Sequence, residues 1–407
     1  MTHFAHRRGA LRIRNGVVFD GVSDVLVERD LIIVDGVVQP EGVEVPAGAP
    51  DWDARGGLVT PGFIDAHLHA YALTLNLFHN ETKQLSYVAH VARRRLGAAL
   101  RRGFTAVRDV AGGDAGLHRA IAEGLFTAPR YFYSGPALSQ SGGHGDPVAA
   151  DDTLCFHSGP GLEIVDGVDA LRTAVRTRLR GGASVIKVMA SGGVISPTDP
   201  LRVPQYSAEE LAVVVAEATR RGRYVAAHAY SPEAIRHALT AGVRSIEHGN
   251  LLDAETAVQM AMSGAYLVPT LATYDAMSRL GASVGLTEVG LAKNAEVLDR
   301  GRAAIEFAAQ AGVPVGFGTD LMGSLESEQL HGLRLQHEVS GTLGLLRSMT
   351  SVNADLLQEE RLGRIRPGAA ADLLVFDGNP FDDPALLWSP DRPRVVLDGV
   401  PVATVRV

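Results

Sequence analysis

The sequence predicts an α/β protein built on a (β/α)8 barrel, with a second, smaller domain assembled from both ends of the chain. Three observations support this prediction. Short apolar runs alternate with helical segments through the middle of the chain, both ends are rich in short strands, and polar side chains of metal-ligand type end several central runs. Eight such alternations over about 260 residues are typical of the barrel, and a doubly wound open sheet is the alternative.

The two ends of the chain have the composition of β-hairpins. Near the start, LRIRNGVVFDG and DVLVERDLIIVDGVV place an Asn-Gly or Asp-Gly step between apolar runs, which is a strong indication of a tight hairpin turn. ADLLVFDGNP and RVVLDGVPVATVRV repeat this pattern near the end. We therefore expect residues 1–57 and 363–407 to form the small domain and residues 58–362 to form the barrel.

The middle of the chain alternates between apolar runs and segments of helical spacing. Three connections after predicted strands are long, at 136–166, 191–206 and 272–290, and such connections at the carboxyl ends of barrel strands usually build the substrate pocket. The predicted strands are 58–67, 105–110, 130–135, 184–191, 224–230, 244–249, 265–271 and 313–320, and the predicted helices are 86–102, 169–181, 207–221, 232–240, 253–263 and 291–311.

Composition places the chain among ordinary globular proteins. It has 407 residues, of which 46% are hydrophobic and 21% charged, and a formal net charge of −8. The acidic balance argues against nucleic acid as a partner, and the single Cys155 excludes an intramolecular disulfide or a multi-cysteine zinc site. We see neither a secretory signal nor a long apolar run. We therefore expect a cytoplasmic homo-oligomer that acts on a small molecule, without membrane or nucleic acid.

Four histidines and an aspartate stand at the ends of predicted strands. His67 and His69 fall in PGFIDAHLH, His228 ends YVAAHAY, His248 ends RSIEHG and Asp320 ends VPVGFGTD. Side chains two apart on a strand point to the same face, so the first two would enter the barrel mouth together. A single histidine at such a place is more often a satisfied core residue. Five polar side chains at one level need partners, and a zinc-like cation would satisfy them.

Lysine usage singles out one further position. Only three of the 38 basic residues are lysines, and Lys83 and Lys293 lie in polar, helix-like stretches where a solvated side chain is expected. Lys187 lies instead in SVIKVMAS, where an ammonium group is costly to bury. It could form a Schiff base with a carbonyl substrate, or add CO2 to become a carbamate that bridges two cations. The histidine set favours the carbamate, because a two-metal site needs a bridging anion.

Together these motifs resemble the amidohydrolase superfamily, within its branch of prolidase-like and imidazolonepropionase-like metal-dependent hydrolases. The matching segments are VTPGFIDAHLH, VIKVMASGGVISP, AAHAYSPEAIRHALTAGVRSIEHGN, GFGTD and LGRIRPGAAADLLVFDGNP, which run through nearly the whole chain. The resemblance implies a distorted (β/α)8 TIM barrel with a small β-sandwich built from both termini.

The resemblance also implies two divalent metal ions per subunit, most simply Zn2+. It assigns His67 and His69 to the more buried ion and His228 and His248 to the more exposed one. Lys187, as N6-carboxylysine, would bridge both ions.

Three further roles follow from the resemblance. Asp320 would bind the first ion and a bridging hydroxide, accept the hydroxide proton on attack and pass it to the leaving amine. His144, in the HGD of the 136–166 connection, would donate to the substrate carbonyl oxygen, and Tyr230 would bind the substrate carboxylate or carbonyl. A loop histidine without a role and a tyrosine with its hydroxyl in solvent are the alternatives.

The pattern is closer to the dipeptidase, carboxypeptidase and amidase group, which includes ochratoxin- and carbamate-hydrolysing members, than to deaminases. Deaminase-type relatives carry a glutamate shortly after the strand-five histidine, whereas His228 is followed by Ala229 and Tyr230. Those relatives and imidazolonepropionase also lack the strand-four lysine. We predict a binuclear hydrolase of an amide-like C–N bond in a dipeptide, N-acyl amino acid or related amide or carbamate. The alternative is a mononuclear enzyme acting on a cyclic amide, or a deaminase.

Weaker candidates remain outside this set. GASVG (281–285) matches the G-x-S-x-G of a serine nucleophile elbow, which needs a strand before it, but it follows the helix-like TYDAMSRL. Arg202 could pair with a substrate carboxylate, and Tyr206 and Tyr274 could line an aromatic pocket.

Overall fold

The computed structural model describes residues 9–148, 153, 155–196, 199–389 and 393–403. Its strands are β1 (Leu11–Val18), β2 (Val27–Val34), β3 (Val37–Val38), β4 (Asp51–Asp53), β5 (Leu58–Pro61), β6 (Phe63–Leu68), β7 (Phe104–Asp109), β8 (Arg130–Tyr133), β9 (Ala137–Ser139), β10 (Leu162–Ile164), β11 (Val185–Met189), β12 (Tyr224–Ala229), β13 (Ser245–His248), β14 (Tyr266–Val268), β15 (Leu373–Val375), β16 (Arg394–Leu397) and β17 (Val400–Pro401). Its α-helices are α1 (Leu77–Glu81), α2 (Leu85–Arg101), α3 (Ala115–Ala122), α4 (Val168–Arg180), α5 (Ala208–Thr219), α6 (Pro232–Thr240), α7 (Ala254–Ser263), α8 (Leu271–Leu280), α9 (Glu288–Ala311), α10 (Gln329–Arg347) and α11 (Asn353–Leu356).

Strands from both ends of the chain form one sheet of eight strands. Its order is β17-β16-β15-β5-β1-β2-β3, with β4 paired to β1, and Leu373 of β15 pairs with Pro61 of β5. The inward residues of these strands, among them Leu11, Ile33 and Val396, are fully buried.

Two of the predicted hairpin turns are confirmed, and one is wrong. The Asp-Gly steps at 35–36 and 398–399 connect β2 to β3 and β16 to β17 with two-residue turns, and all four residues have positive φ. The Asn-Gly step at 15–16 does not turn. Strand β1 runs through it, and Asn15 takes a left-handed φ of 54° within an irregularity of the β1–β2 register. Such a bulge uses the same backbone freedom as a turn.

The middle of the chain forms parallel strands and helices, which confirms the α/β class. One sheet has the order β6-β7-β8 and the other β10-β9-β11-β12-β13-β14, and every pairing in them is parallel. Residues 313–320, predicted as a strand, make one isolated bridge, between Val315 and Leu267. No ladder closes the two sheets into a ring within the residues described, and the separate β-sandwich stays a prediction.

The helices begin where the sequence supplies caps. Ser207 and Glu210 form a reciprocal capping box at α5, and Ser231 caps α6 ahead of Pro232. The 272–290 connection, predicted as a loop, is largely helical, because it contains most of α8 and a 3-10 turn. Of the helices described, none has the length and hydropathy that crossing a bilayer requires.

Candidate metal centre

The predicted ligands come together at the carboxyl ends of the parallel strands. His67 lies in β6, His228 in β12 and His248 at the end of β13, while His69 and Asp320 follow their apolar runs directly. All five are buried. The ring centroid of His67 lies 5.1 Å from that of His69 and 4.9 Å from that of His248. The ring centroids of His228 and His248 are 4.5 Å apart.

Asp320 is the centre of this cluster. Its Oδ1 lies 2.7 Å from His69 Nε2 and 3.4 Å from His67 Nε2, and its Oδ2 lies 3.9 Å from His248 Nδ1. Burial by itself would raise the pKa of Asp320, but His67 and His69 hold that pKa well below its usual range. The backbone is also shaped for this placement, because both Asp320 and His248 adopt positive φ, an unfavourable conformation that is common at functional sites.

Lys187 lines the same cavity as the cluster. It is 2% exposed at the centre of β11. Burial lowers its pKa to about 8, although the nearby Glu247 and Asp320 act in the opposite direction. A lowered pKa increases the neutral fraction of the amine, the form that reacts with CO2 or a carbonyl group.

A buried pair that sequence analysis missed holds His67 in place. Glu247 Oε2 lies 2.7 Å from His67 Nδ1, and the Arg108 guanidinium donates to both oxygens of Glu247 at 2.7 and 2.9 Å. An Nδ1–H that donates to Glu247 leaves His67 Nε2 as a free ligand atom. The sequence did carry an indication, since Arg108 in TAVRDV and Glu247 in RSIEHG are charges on apolar strands, as Lys187 is.

The other two histidines are also oriented by neighbours. His228 Nε2 lies 3.0 Å from the carbonyl oxygen of Gly192, so this nitrogen donates and Nδ1 remains free to bind a cation. His248 Nδ1 lies 2.8 Å from Thr270 Oγ1 and 2.7 Å from the Tyr274 hydroxyl. Burial above all lowers the pKa of both histidines well below the usual value, which favours the neutral imidazole that metals bind.

Both predicted substrate contacts lie against the cluster. The His144 ring stacks on His228 at 4.3 Å between centroids, and the Tyr230 ring lies 4.8 Å from His228. The Tyr230 hydroxyl is 2.8 Å from that of Tyr274, which comes from α8 rather than from a loop. Tyr274 therefore contacts the site as predicted.

Two weaker candidates do not reach the site. Arg202 is exposed and pairs with Glu296 at 2.6 Å, and the Tyr206 hydroxyl donates to the carbonyl oxygen of Val165 at 3.1 Å. GASVG forms a 3-10 turn after α8 instead of a strand-to-helix elbow, so it supports no serine nucleophile.

The cluster lines a cavity to which all three predicted long connections contribute. Among the residues described, its acidic and basic lining consists of the cluster histidines, His144, Lys187, Asp320 and Glu81, and its remaining wall is mostly apolar, with Leu75, Leu162 and Met277. Two hydrogen bonds join Glu81 Oε2 to the amides of Gly161 and Leu162, at 3.0 and 3.3 Å.

The donor set fits a divalent cation. His67, His248 and Asp320 each offer a ligand atom, and these atoms lie within 4.8 Å of one another. His69 Nδ1 is buried without a hydrogen-bond partner among the residues described. Neutral imidazoles beside an ionised carboxylate are the ligands that zinc-like ions prefer.

Comparison with known proteins finds relatives that match most of the chain and support the predicted family. The family model described as "Amidohydrolase family" matches residues 58–405. Ochratoxinase of Aspergillus niger is 32% identical over 412 residues, covering 94% of this chain and 84% of the relative. A prolidase solved with N-methylphosphonate-L-proline superposes with a TM-score of 0.92 at 42% identity, covering 97% of this chain and 99% of the prolidase. A Xaa-Pro dipeptidase with bound methionine superposes at 0.86 with 30% identity, covering 97% and 100%.

Proposed function

The chain belongs to the amidohydrolase family, in the branch that includes prolidase and ochratoxinase, and is a hydrolase of amide C–N bonds; we propose that it works with two metal ions and cleaves a dipeptide, an N-acyl amino acid or a related amide or carbamate. The observation that carries the proposal is the buried cluster around Asp320, with Lys187 in the same cavity.

The proposed ligands share burial and a common cavity. Bound divalent cations, most simply Zn2+, would supply Lewis-acid activation of a water molecule and of the scissile carbonyl group. Lys187, as N6-carboxylysine, would offer the anionic oxygens shared by both ions. The full set is His67, His69, Lys187, His228, His248 and Asp320.

Asp320 is the proposed general base and acid. The carboxylate is ionised beside His67 and His69, which leaves its oxygens unprotonated for the proton of the attacking water as the oxygen adds to the carbonyl carbon. It would then deliver that proton to the leaving nitrogen as the C–N bond breaks. The products are a carboxylic acid and an amine, which balances the added water.

His144 and Tyr230 are the proposed substrate contacts. His144, fixed against His228, would donate to the carbonyl oxygen as negative charge develops there, an interaction worth about 3 kcal/mol per donor. Burial, the main cause, raises the pKa of Tyr230, so its hydroxyl stays protonated and can bind a substrate carboxylate or carbonyl.

We also propose that the parallel sheets form a distorted (β/α)8 barrel over residues 58–362, beside a β-sandwich domain built from residues 1–57 and 363–407. Three backbone hydrogen bonds that span the gaps between the sheets support this. Ser184 N donates to Tyr133 O at 2.9 Å, Leu267 N to Pro314 O at 3.1 Å and Ala66 N to Phe317 O at 2.9 Å.

Metal analysis of a lysine variant tests the binuclear proposal. We expect two ions per chain in the wild type, and loss of one or both together with activity in Lys187→Ala. Adding propionate, whose carboxylate can occupy the vacated space, should restore part of both. The matched control is Lys83→Ala, which removes an exposed lysine. If Lys187→Ala keeps two ions and full rate, the carbamate proposal is wrong.

The substrate class is tested separately by screening Xaa-Pro and other dipeptides, N-acyl amino acids, aryl carbamates and ochratoxin-like amides on the zinc-loaded enzyme. A mononuclear amidohydrolase or deaminase is the second candidate, because His67, His248 and Asp320 alone bring three ligand atoms close enough for one ion. One ion per chain, with ring opening of a cyclic amide or release of ammonia, would favour it.

A further inference from the structure

A buried aspartate lies beside His144 and is used by none of the steps above. Asp199 follows β11 in the 191–206 connection, and its side chain is 4% exposed. Its Oδ2 lies 3.8 Å from His144 Nδ1. Both His144 Nδ1 and Asp199 Oδ1 are buried without a hydrogen-bond partner among the residues described. The ring nitrogen that lacks a hydrogen-bond partner therefore lies within ion-pair distance of this carboxylate.

We propose that Asp199 is a positioning residue for His144, holding the ring through Nδ1 so that Nε2 is presented to the substrate. The inference rests on the proposed donor role of His144. Carboxylates commonly fix the orientation and tautomer of an imidazole in this way. A separation of 3.8 Å is an ion-pair distance and is longer than a hydrogen bond.

A second side chain connects the same pair. Gln205 Nε2 donates to Asp199 Oδ2 at 3.2 Å, while Gln205 Oε1 accepts from the backbone amide of His144 at 3.0 Å. Gly193 N also donates to Asp199 Oδ2, at 3.1 Å. The backbone of His144 and the carboxylate of Asp199 are therefore fixed to one amide group, which sets the distance between them.

Lys293 holds this connection from α9. Its ammonium group donates to the carbonyl oxygens of Gly193, Ser196 and Asp199 at 3.0, 2.6 and 2.7 Å and lies 3.7 Å from Asp199 Oδ1. The prediction that Lys293 is solvated is wrong, because all three of its protons are used inside the fold. A cation at this place also compensates the buried charge of Asp199.

Two neighbours confine the His144 ring. One face stacks on His228. A Cβ added to Gly193 would lie 1.9 to 2.4 Å from three ring atoms, so the backbone of the connection itself passes against the ring. With the ring confined in this way, the contact at Nδ1 decides which edge of the ring faces Asp199.

The first test is spectroscopic and needs no substrate. Histidine-selective 15N labelling of the zinc-loaded protein, read in long-range 1H–15N spectra, reports which ring nitrogens carry protons. The His144 resonances are assigned by their loss in His144→Gln. We expect a protonated Nδ1 in the wild type and a changed pattern in Asp199→Asn and Asp199→Ala. The control Asp24→Asn, at an exposed aspartate, should leave the His144 resonances in place. Unchanged resonances in both Asp199 variants would overturn the proposal.

The second test is a double-mutant cycle with an Xaa-Pro dipeptide such as Ala-Pro. Asp199→Asn keeps the shape of the side chain, and we expect kcat to fall about 10- to 100-fold, with less change in KM. In the His144→Gln background the same change should cost little more, because its target is gone. A full additional loss in that background would contradict the positioning role. If the wild type cleaves no amide, the proposed function fails, whereas the spectra still decide whether Asp199 orients His144.

Discussion

Arg108 lies beneath the metal centre and allows a quantitative prediction. It is fully buried, and its guanidinium bonds both oxygens of Glu247, the hydroxyl of Ser245 and the carbonyl oxygen of Ala66. Glu247 in turn bonds His67. Burial by itself would raise the pKa of Glu247, but Arg108 and then His67 lower it far below the ordinary value. The carboxylate therefore stays charged in the core, and its stability there depends on Arg108.

The perturbation is Arg108→Met, which keeps most of the volume and removes the charge. Breaking a buried ion pair from one side costs about 3–5 kcal/mol, because the remaining charge loses its partner. Unfolding entropy of about 2.1 cal/mol/K per residue amounts to about 0.85 kcal/mol/K for 407 residues. We therefore expect a single cooperative transition to move down by about 4–6 °C. Because Glu247 orients His67, we also expect metal affinity to fall about 10- to 100-fold.

The assay is thermal unfolding followed by circular dichroism at fixed zinc concentration, with metal affinity measured by competition with a chelator. Arg119→Met is the matched control, since Arg119 pairs with Glu123 on the surface and its loss should change neither quantity. The double variant Arg108→Met/Glu247→Gln should be more stable than Arg108→Met, because it leaves no unpaired charge. The reasoning is refuted if Arg108→Met behaves like the surface control, or if adding Glu247→Gln lowers stability further.

Three more outcomes follow from single side chains. Burial raises the pKa of Glu81 to about 7, so the folded protein holds this proton more tightly than the unfolded chain does. The contribution of Glu81 to the free energy of unfolding therefore falls as the pH rises from about 4.5 to 7. Glu81→Gln should abolish this fall, and parallel curves of unfolding midpoint against pH for the variant and the wild type would contradict the prediction. Gly193→Ala would place a methyl group inside the space of the His144 ring. We therefore expect kcat for Ala-Pro to fall about 100-fold, while the circular dichroism spectrum shows that the fold is retained. An unchanged kcat would show that the position of His144 is unimportant for the reaction. Arg130 of β8 pairs at 2.6 Å with Asp372, which directly precedes β15. Arg130→Met should therefore lower the free energy of unfolding, measured in urea, by about 1–3 kcal/mol. Equal unfolding midpoints would show that this ion pair does not stabilise the fold.

The metal-ligand candidates could be predicted because each ends an apolar run, and parallel strands bring such ends together. His228 and His248 illustrate this, since they lie in register-paired strands β12 and β13. Glu247 could not be assigned a role because its partners His67 and Arg108 lie 180 and 139 residues away in the chain, although a charge on an apolar strand is the same indication that identified Lys187. Lys293 was misassigned because its three carbonyl acceptors lie about 95–100 residues away in the chain, and no local pattern encodes where a loop carbonyl will point.

The local sequence also does not determine whether an Asn-Gly or Asp-Gly step forms a hairpin turn or a bulge. Asp35-Gly36 and Asn15-Gly16 have equivalent local conformational freedom, with the first residue of each at a φ near 50°. The first makes a hairpin because β3 is short and returns along β2. The second stays within β1 because β2 and β5 supply partners beyond it, Gly16 pairing with Arg29 and Val17 with Leu58. Tertiary pairing, which the dipeptide does not contain, decides between a turn and a bulge.

The sheet made from both chain ends constrains how the protein can be synthesised. Pro61 pairs with Leu373, about 310 residues later, so at 5–20 residues per second a ribosome needs about 15 to 60 s to deliver the partner strand after the first has emerged. During that interval the backbone groups of β5 on the β15 side have no strand to bond. The nascent chain therefore carries an open sheet edge while the residues between β5 and β15 are translated. During this period, chaperone binding or pairing with a neighbouring nascent chain competes with the pairing of β5 and β15.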